Sequence, residues 1–205
     1  MTALAHGAHL DVEVTLGPQD MAPLQVRWRL RNTGNVDLGL FARLPDADPA
    51  RSYAPDLFYV DIVAEVLHLR KMVLPVPPGL QMAERQPPGV TILRAGTEEQ
   101  GAVGLAQPVR VWNPYRQAVM VGQAGGKPVA ATRPHRVVEL AVSFGVFTLV
   151  PEERLMPLSP DHPEVYRLWP PGPAMQRQVV LTDHLPLPHA ATALDYETQP
   201  PPRRR

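Results

Sequence analysis

The stretch Leu24-Gln25-Val26-Arg27-Trp28-Arg29-Leu30 alternates apolar and polar residues without a break, and Arg31-Asn32-Thr33-Gly34-Asn35 then ends it with a turn-forming cluster. Successive side chains of a strand point to opposite faces, so Leu24, Val26, Trp28 and Leu30 face a core while Gln25, Arg27 and Arg29 face water. Strands wet on one face belong to antiparallel sheets. The same period of two runs through Leu10, Val12, Val14 and Leu16, and again through Val138, Leu140, Val142, Phe144 and Val146. The chain therefore reads as an all-β, antiparallel protein, with Trp28 as a core anchor.

The runs at 10–16 and 24–30 are joined by Gly17-Pro18-Gln19-Asp20-Met21-Ala22-Pro23, whose prolines stop either strand from extending. Val36, Leu38 and Leu40 resume the period after the turn, where Gly34 or Asn35 is expected to take a positive φ. The stretch from Asp56 to Val73 fits either a strand pair or a buried helix. Its Tyr59, Val60, Ile62, Val63 and Val66 favour strands, although Ala64-Glu65 stands where a turn ordinarily uses glycine or asparagine. Further strands are expected at 90–93, near 100–105, 109–112, 117–121 and 136–147, the last one central, with Gly96 turning the chain between 93 and 98.

Twenty-six prolines in 205 residues, clustered at 74–90 and 151–202, predict long irregular loops. Those between Pro151 and Pro173 argue against continuous ladders, 178–182 reads as an edge strand, and poor order is expected from Asp183 onward. The expected organisation is one β-sandwich domain over 1–182, with a proline-rich insert, followed by a flexible proline- and arginine-rich tail over 183–205.

Twenty basic and twenty acidic residues cancel, so no global field recruits nucleic acid. Cysteine is absent, which removes disulfides, thiolate nucleophiles and cysteine-based zinc sites. The N-terminal residues lack the pattern of a secretion signal, and no apolar run is long enough to span a bilayer, so a cytoplasmic protein without membrane contact is expected.

No motif marks a catalytic, cofactor-binding or metal-binding residue. Ala141-Val142-Ser143-Phe144-Gly145 resembles a nucleophile elbow, but the alternation continues through Phe144 and Val146 and puts Ser143 on an unbroken strand. Gly122-Gln123-Ala124-Gly125-Gly126-Lys127-Pro128 has proline where a phosphate loop needs a hydroxyl residue, and reads as a hairpin connection. The pairs His6/His9 and His184/His189 lack metal-ligand spacing, and Asp46, Asp48 and Asp56 lack the calcium-loop pattern.

Trp112, Tyr115 and Arg116 surround Pro114, and Tyr166 and Trp169 precede Pro170, all outside regular alternation. Two readings stay open for these five residues: lids folded over a sheet face, or aromatic and arginine anchors for an unknown protein partner. The turn region Val26 to Leu38, with its Asn32-Thr33-Gly34, and the later Leu93-Arg94-Ala95-Gly96-Thr97-Glu98 resemble patterns of bacterial immunoglobulin-like domains, including CARDB-type adhesion modules and BsuPI-type intracellular proteinase inhibitors. That resemblance implies an immunoglobulin-like sandwich and a binding or scaffolding role, with no enzymatic activity. Proteinase inhibition, a hydrolase site assembled from distant residues, and a structural subunit of a phage or secretion apparatus are the alternatives.

Overall fold

In the computed structural model, which describes residues 4–5, 8–16, 23–45, 52–77, 87–116, 131–160 and 162–196, the alternating stretch forms a strand from Leu24 to Asn32 with every second side chain buried. In chain order the strands are β1 (Leu4–Ala5), β2 (Ala8–Leu16), β3 (Leu24–Asn32), β4 (Leu38–Arg43), β5 (Tyr59–Val63), β6 (Val66–Lys71) and β7 (Gly89–Leu93). They continue as β8 (Glu98–Leu105), β9 (Val109–Arg110), β10 (Ala131–Thr148), β11 (Arg154–Ser159), β12 (His162–Trp169) and β13 (Val179–Tyr196), with a short helix α1 (Pro171–Arg177) before the last strand.

Among the described residues these strands form two sheets. The smaller has the order β1-β2-β3-β8, antiparallel throughout. The larger runs β11-β12-β7-β4-β10-β13-β9 and branches at β10, which pairs with β4 through 146–148 and with β6 through 139–144. Leu24, Val26, Trp28 and Leu30 of β3 share one core with Leu67, Leu69, Leu140, Val142, Phe144 and Val146 of the larger sheet. Each such side chain taken from water contributes about 1.5–3 kcal/mol, which is why the two-residue period dictates the packing. The Trp28 indole lies over Gly101, where an added Cβ would come within 2.5 Å of the ring, so this close approach requires glycine.

The all-β class agrees with the sequence, whereas several particulars differ. Pairing is mixed, because β6 runs parallel to β10 and β9 runs parallel to β13. The region 56–73 is a strand pair, and Ala64 accepts a positive φ of 56° to turn it. Neither Gly34 nor Asn35 has a positive φ. The corner is held instead by the fully buried Asn32, whose Oδ1 accepts the Gly34 N–H at 3.0 Å and whose Nδ2 donates to the carbonyls of Val36 and Leu93. Gly96 does take a positive φ, at 73°.

The C-terminal third departs furthest from expectation. Its prolines do not prevent ladders: β11 and β12 form an antiparallel hairpin, with Pro157 in the strand that ends the sheet, the place where a sheet tolerates proline. Poor order from Asp183 is not what the fold shows, since β13 pairs with β10 from Val179 to Tyr196 and lies between β10 and β9 rather than at an edge. Pro186 stands where the register jumps from Glu139↔Pro186 to Val137↔Ala191, so residues 187–190 leave the ladder together. The expected strand at 117–121, the glycine-rich loop at 122–128, most of the loop at 74–90 and the last residues of the tail lie outside the described residues.

Candidate functional site

The five residues singled out by sequence fall into two separate environments. Trp112 follows β9 and exchanges two backbone hydrogen bonds with Val60 of β5, at 2.8 and 2.9 Å. That pairing puts its ring against Tyr59, with centroids 5.3 Å apart. Tyr115 is buried with Leu44, Leu57, Tyr59 and Leu74, and its hydroxyl donates to the Leu74 carbonyl at 3.4 Å. Burial pushes the Tyr59 phenol well above its ordinary pKa, so that hydroxyl stays neutral.

Arg116 reaches back between two strands. Its Nη1 donates to Asp61 Oδ1 of β5 at 2.5 Å, and its Nη2 lies 2.7 and 2.8 Å from the two oxygens of Asp195 on β13. Burial pulls the Arg116 pKa down, but the hydrogen bonds to Asp195 and Asp61 outweigh it and hold the group above its usual range. Asn113 completes the arrangement: Nδ2 donates to Asp61 Oδ2 at 3.2 Å, while Oδ1 accepts the backbone N–H groups of Tyr115 and Arg116. Asp61 also accepts its neighbour's N–H at Ile62, as Asp195 does at Tyr196. Every charge here is answered, and the result is a clamp that fixes the segment 112–116 to the larger sheet.

The polar face of β6, β10 and β13 holds the remaining sequence motifs. Ser143 is buried in the middle of β10, and its hydroxyl pairs with that of Thr182 at 2.9 Å. The strand continues unbroken to Thr148, so the sharp turn of a nucleophile elbow is absent at this position. His184 Nδ1 lies 2.5 Å from Glu139 Oε1, and His68 is shifted toward its neutral form by burial first and the Arg70 guanidinium second. Among the described residues no three histidine, aspartate or glutamate side chains are placed to hold a metal ion.

The hairpin β11–β12 is the contrasting environment. Arg154 is paired in register with Trp169, and Met156 with Arg167, so these four side chains share one face. All four are exposed, Trp169 to 58% and Met156 to 42%. The opposite face carries Leu155 and Leu168, which pack with Phe41, Val90, Phe147 and Ala174 of α1 and anchor the hairpin to the sheet. Glu153 is held by Arg177 at 2.6 Å, and Glu164 lies 4.0 Å from Arg43. Neither Arg154 nor Arg167 has an ion pair or hydrogen bond among the described residues. Tyr166 sits half-buried on the anchored side, paired with Pro157. The sequence points to Trp169, with Arg167 in the same stretch, and gives no sign of Arg154 and Met156 beyond their spacing of two, which matches that of Arg167 and Trp169.

The chain matches no known family model, no curated protein and no solved structure. No helix among the described residues is long and apolar enough to cross a membrane.

Proposed function

We propose that this protein is a non-catalytic interaction module that docks an acidic, partly apolar segment of another protein on the exposed face of the β11–β12 hairpin. The observation that carries the reading is the exposed Trp169 beside two arginines that have no partner among the described residues, on a terminal hairpin fixed from behind by Leu155 and Leu168. Trp, Met and Arg are the residues enriched where proteins meet, because a rigid aromatic and a flexible thioether bury large area while guanidinium forks select carboxylates. Pro157 in the edge strand removes a backbone donor, so recognition runs through side chains on the face rather than through strand addition. The reading keeps the immunoglobulin-like sandwich implied by the Asn32-Thr33-Gly34 pattern as the scaffold, and the cytoplasm as the place of action.

The test is a fluorescence titration of the full chain with a decapeptide of alternating glutamate and leucine, and with its lysine analogue. The glutamate peptide is expected to shift the indole emission, to bind more weakly as salt rises, and to lose affinity at least tenfold when Arg154→Glu and Arg167→Glu are combined. Equal binding of the lysine peptide, or unchanged affinity after the charge reversal, contradicts the reading.

A further inference from the structure

The inward face of β6 is apolar at Leu67 and Leu69 and then carries Lys71 at its next position, 1% exposed. Lys71 is the last residue of β6 to pair with β10, opposite Phe144, and β4 takes over the same edge of β10 from Leu40, opposite Val146. The amine therefore lies at the fork where β4 and β6 part, and Arg43 ends β4 on the side of that fork. Lys71 Nζ donates to the Pro55 carbonyl and stands 4.5 Å from the Phe58 ring and 5.7 Å from the Trp28 ring. Phe58 also lines an open cleft of about 570 Å³ between β8 and β9, so the ring over the amine is at the same time a wall of that cleft.

Three charges bear on Lys71 from the elements around it: Arg43 of β4 most strongly, then Glu99 of β8 and Asp56 ahead of β5. Trp28 of β3 and Phe144 of β10 add aromatic rings, 4.6 Å apart. Burial first and Arg43 second lower the lysine to about 7, so much of the folded chain holds a free amine at neutral pH. Arginine cannot release its proton in this way, and of the twenty basic residues only Lys71 and Lys127 are lysines. Arg43 Nε is buried and has no hydrogen-bond partner among the described residues. An ammonium at Lys71 is repelled by Arg43, whereas an anion on the same nitrogen is attracted by it. Glu99, which opposes such an anion, is engaged by the Thr91 hydroxyl at 3.1 Å.

We infer that Lys71 is a site for reversible addition of carbon dioxide, with Arg43 as the counter-charge of the carbamate that forms. The Nζ lone pair attacks the carbon of CO2 and makes the N–C bond, one C–O π pair moves onto oxygen, and the nitrogen releases one proton to solvent. Amine and CO2 thus give carbamate and a proton, with nothing oxidised or reduced. A linear molecule of three atoms suits an amine screened by the Phe58 ring, where a bulkier electrophile is excluded. The site is separate from the hairpin face and does not require a protein partner.

Carbon-13 NMR of the full chain under labelled CO2 at about pH 7.5 tests the inference, since a carbamate carbon resonates apart from bicarbonate and dissolved CO2. A carbamate resonance is expected that persists in Lys127→Arg, disappears in Lys71→Met, and falls at least tenfold when urea unfolds the original chain at the same pH, because the unfolded lysine regains its ordinary proton affinity. A carbamate on the terminal amine survives all three changes and is thereby told apart. The urea midpoint of the original chain is expected to rise under CO2 relative to nitrogen at matched pH and ionic strength, and that of Lys71→Met to stay in place. No carbamate resonance in the folded chain, the same resonances in Lys71→Met, or no resonance lost on unfolding overturns the inference.

Discussion

Two arginine–aromatic groups that look alike in the sequence, Trp112-Asn113-Pro114-Tyr115-Arg116 and Tyr166-Arg167-Leu168-Trp169-Pro170, end up in opposite circumstances. In the first, the guanidinium of Arg116 is shared between Asp61 and Asp195 and the aromatic rings are packed against β5 and its surroundings. In the second, Arg167 has no ion pair among the described residues, and Trp169 is 58% exposed. Composition does not separate a group that builds the fold from one free to bind; the presence or absence of partners does.

The largest loss is expected from Arg116→Ala, which removes the counter-charge shared by Asp61 and Asp195, although Asp61 keeps Arg70 at 3.6 Å and Asp195 keeps His135 at 3.9 Å. A loss of about 2–3 kcal/mol in urea-unfolding free energy is expected. Arg167→Ala, the matched change on the hairpin, is expected to cost less than about 0.5 kcal/mol in the same measurement, because nothing is left unpaired.

Lys71 is a third case, a buried amine that forms no ion pair with a carboxylate among the described residues. Its side chain is 1% exposed, with Nζ 4.5 Å from the Phe58 ring and 5.7 Å from the Trp28 ring, and it donates to the Pro55 carbonyl. Burial foremost, then the Arg43 charge, lowers its pKa to about 7, against the partial opposition of Glu99 and Asp56. The unfolded lysine holds its proton to about 10.5 while the folded one releases it near 7, so the unfolded state binds more protons between these values. Stability is therefore expected to rise between pH 7 and pH 9.5, by about 3 kcal/mol from this residue, and to carry the full penalty below pH 7. Lys71→Met is expected to flatten that rise and to match or exceed the original chain at pH 7, as read from urea midpoints at each pH.

The face-defining alternations of β3 and β10 were legible because each places apolar side chains toward the shared core. The last strand was not, because Asp183 is buried between the inward-facing Leu181 and Leu187, and Pro186 falls inside the ladder. An acid and a proline in a strand erase the local signal, while pairing to β10 supplies the order that local propensity lacks. The β11–β12 hairpin was hidden for the same reason: Pro157 and Pro163 mask strands that an anchored leucine pair holds in place. The clamp depends on residues more than fifty positions apart, Asp61 with Arg116 and Arg116 with Asp195, and no single-sequence pattern encodes such a pairing.

A smaller effect belongs to the turn that brings β5 back to β6 and so presents Asp61 to Arg116. Ala64 holds a φ of 56°, a region that costs an L-residue about 1 kcal/mol and glycine little. Ala64→Gly is expected to raise the urea midpoint by up to about 1 kcal/mol in equivalent free energy, offset in part by the added freedom of the unfolded chain. The smallest change in stability is expected from Trp169→Ala, within about 0.5 kcal/mol, since the ring is mostly in solvent.

The most direct test of the division between the two groups is an NMR titration of the isotope-labelled full chain with the glutamate–leucine decapeptide, following indole and guanidinium resonances. The account predicts that Trp169, Arg154 and Arg167 shift with peptide while Trp112 and Arg116 stay in place. Shifts confined to Trp112 and Arg116, with the hairpin silent, would contradict it.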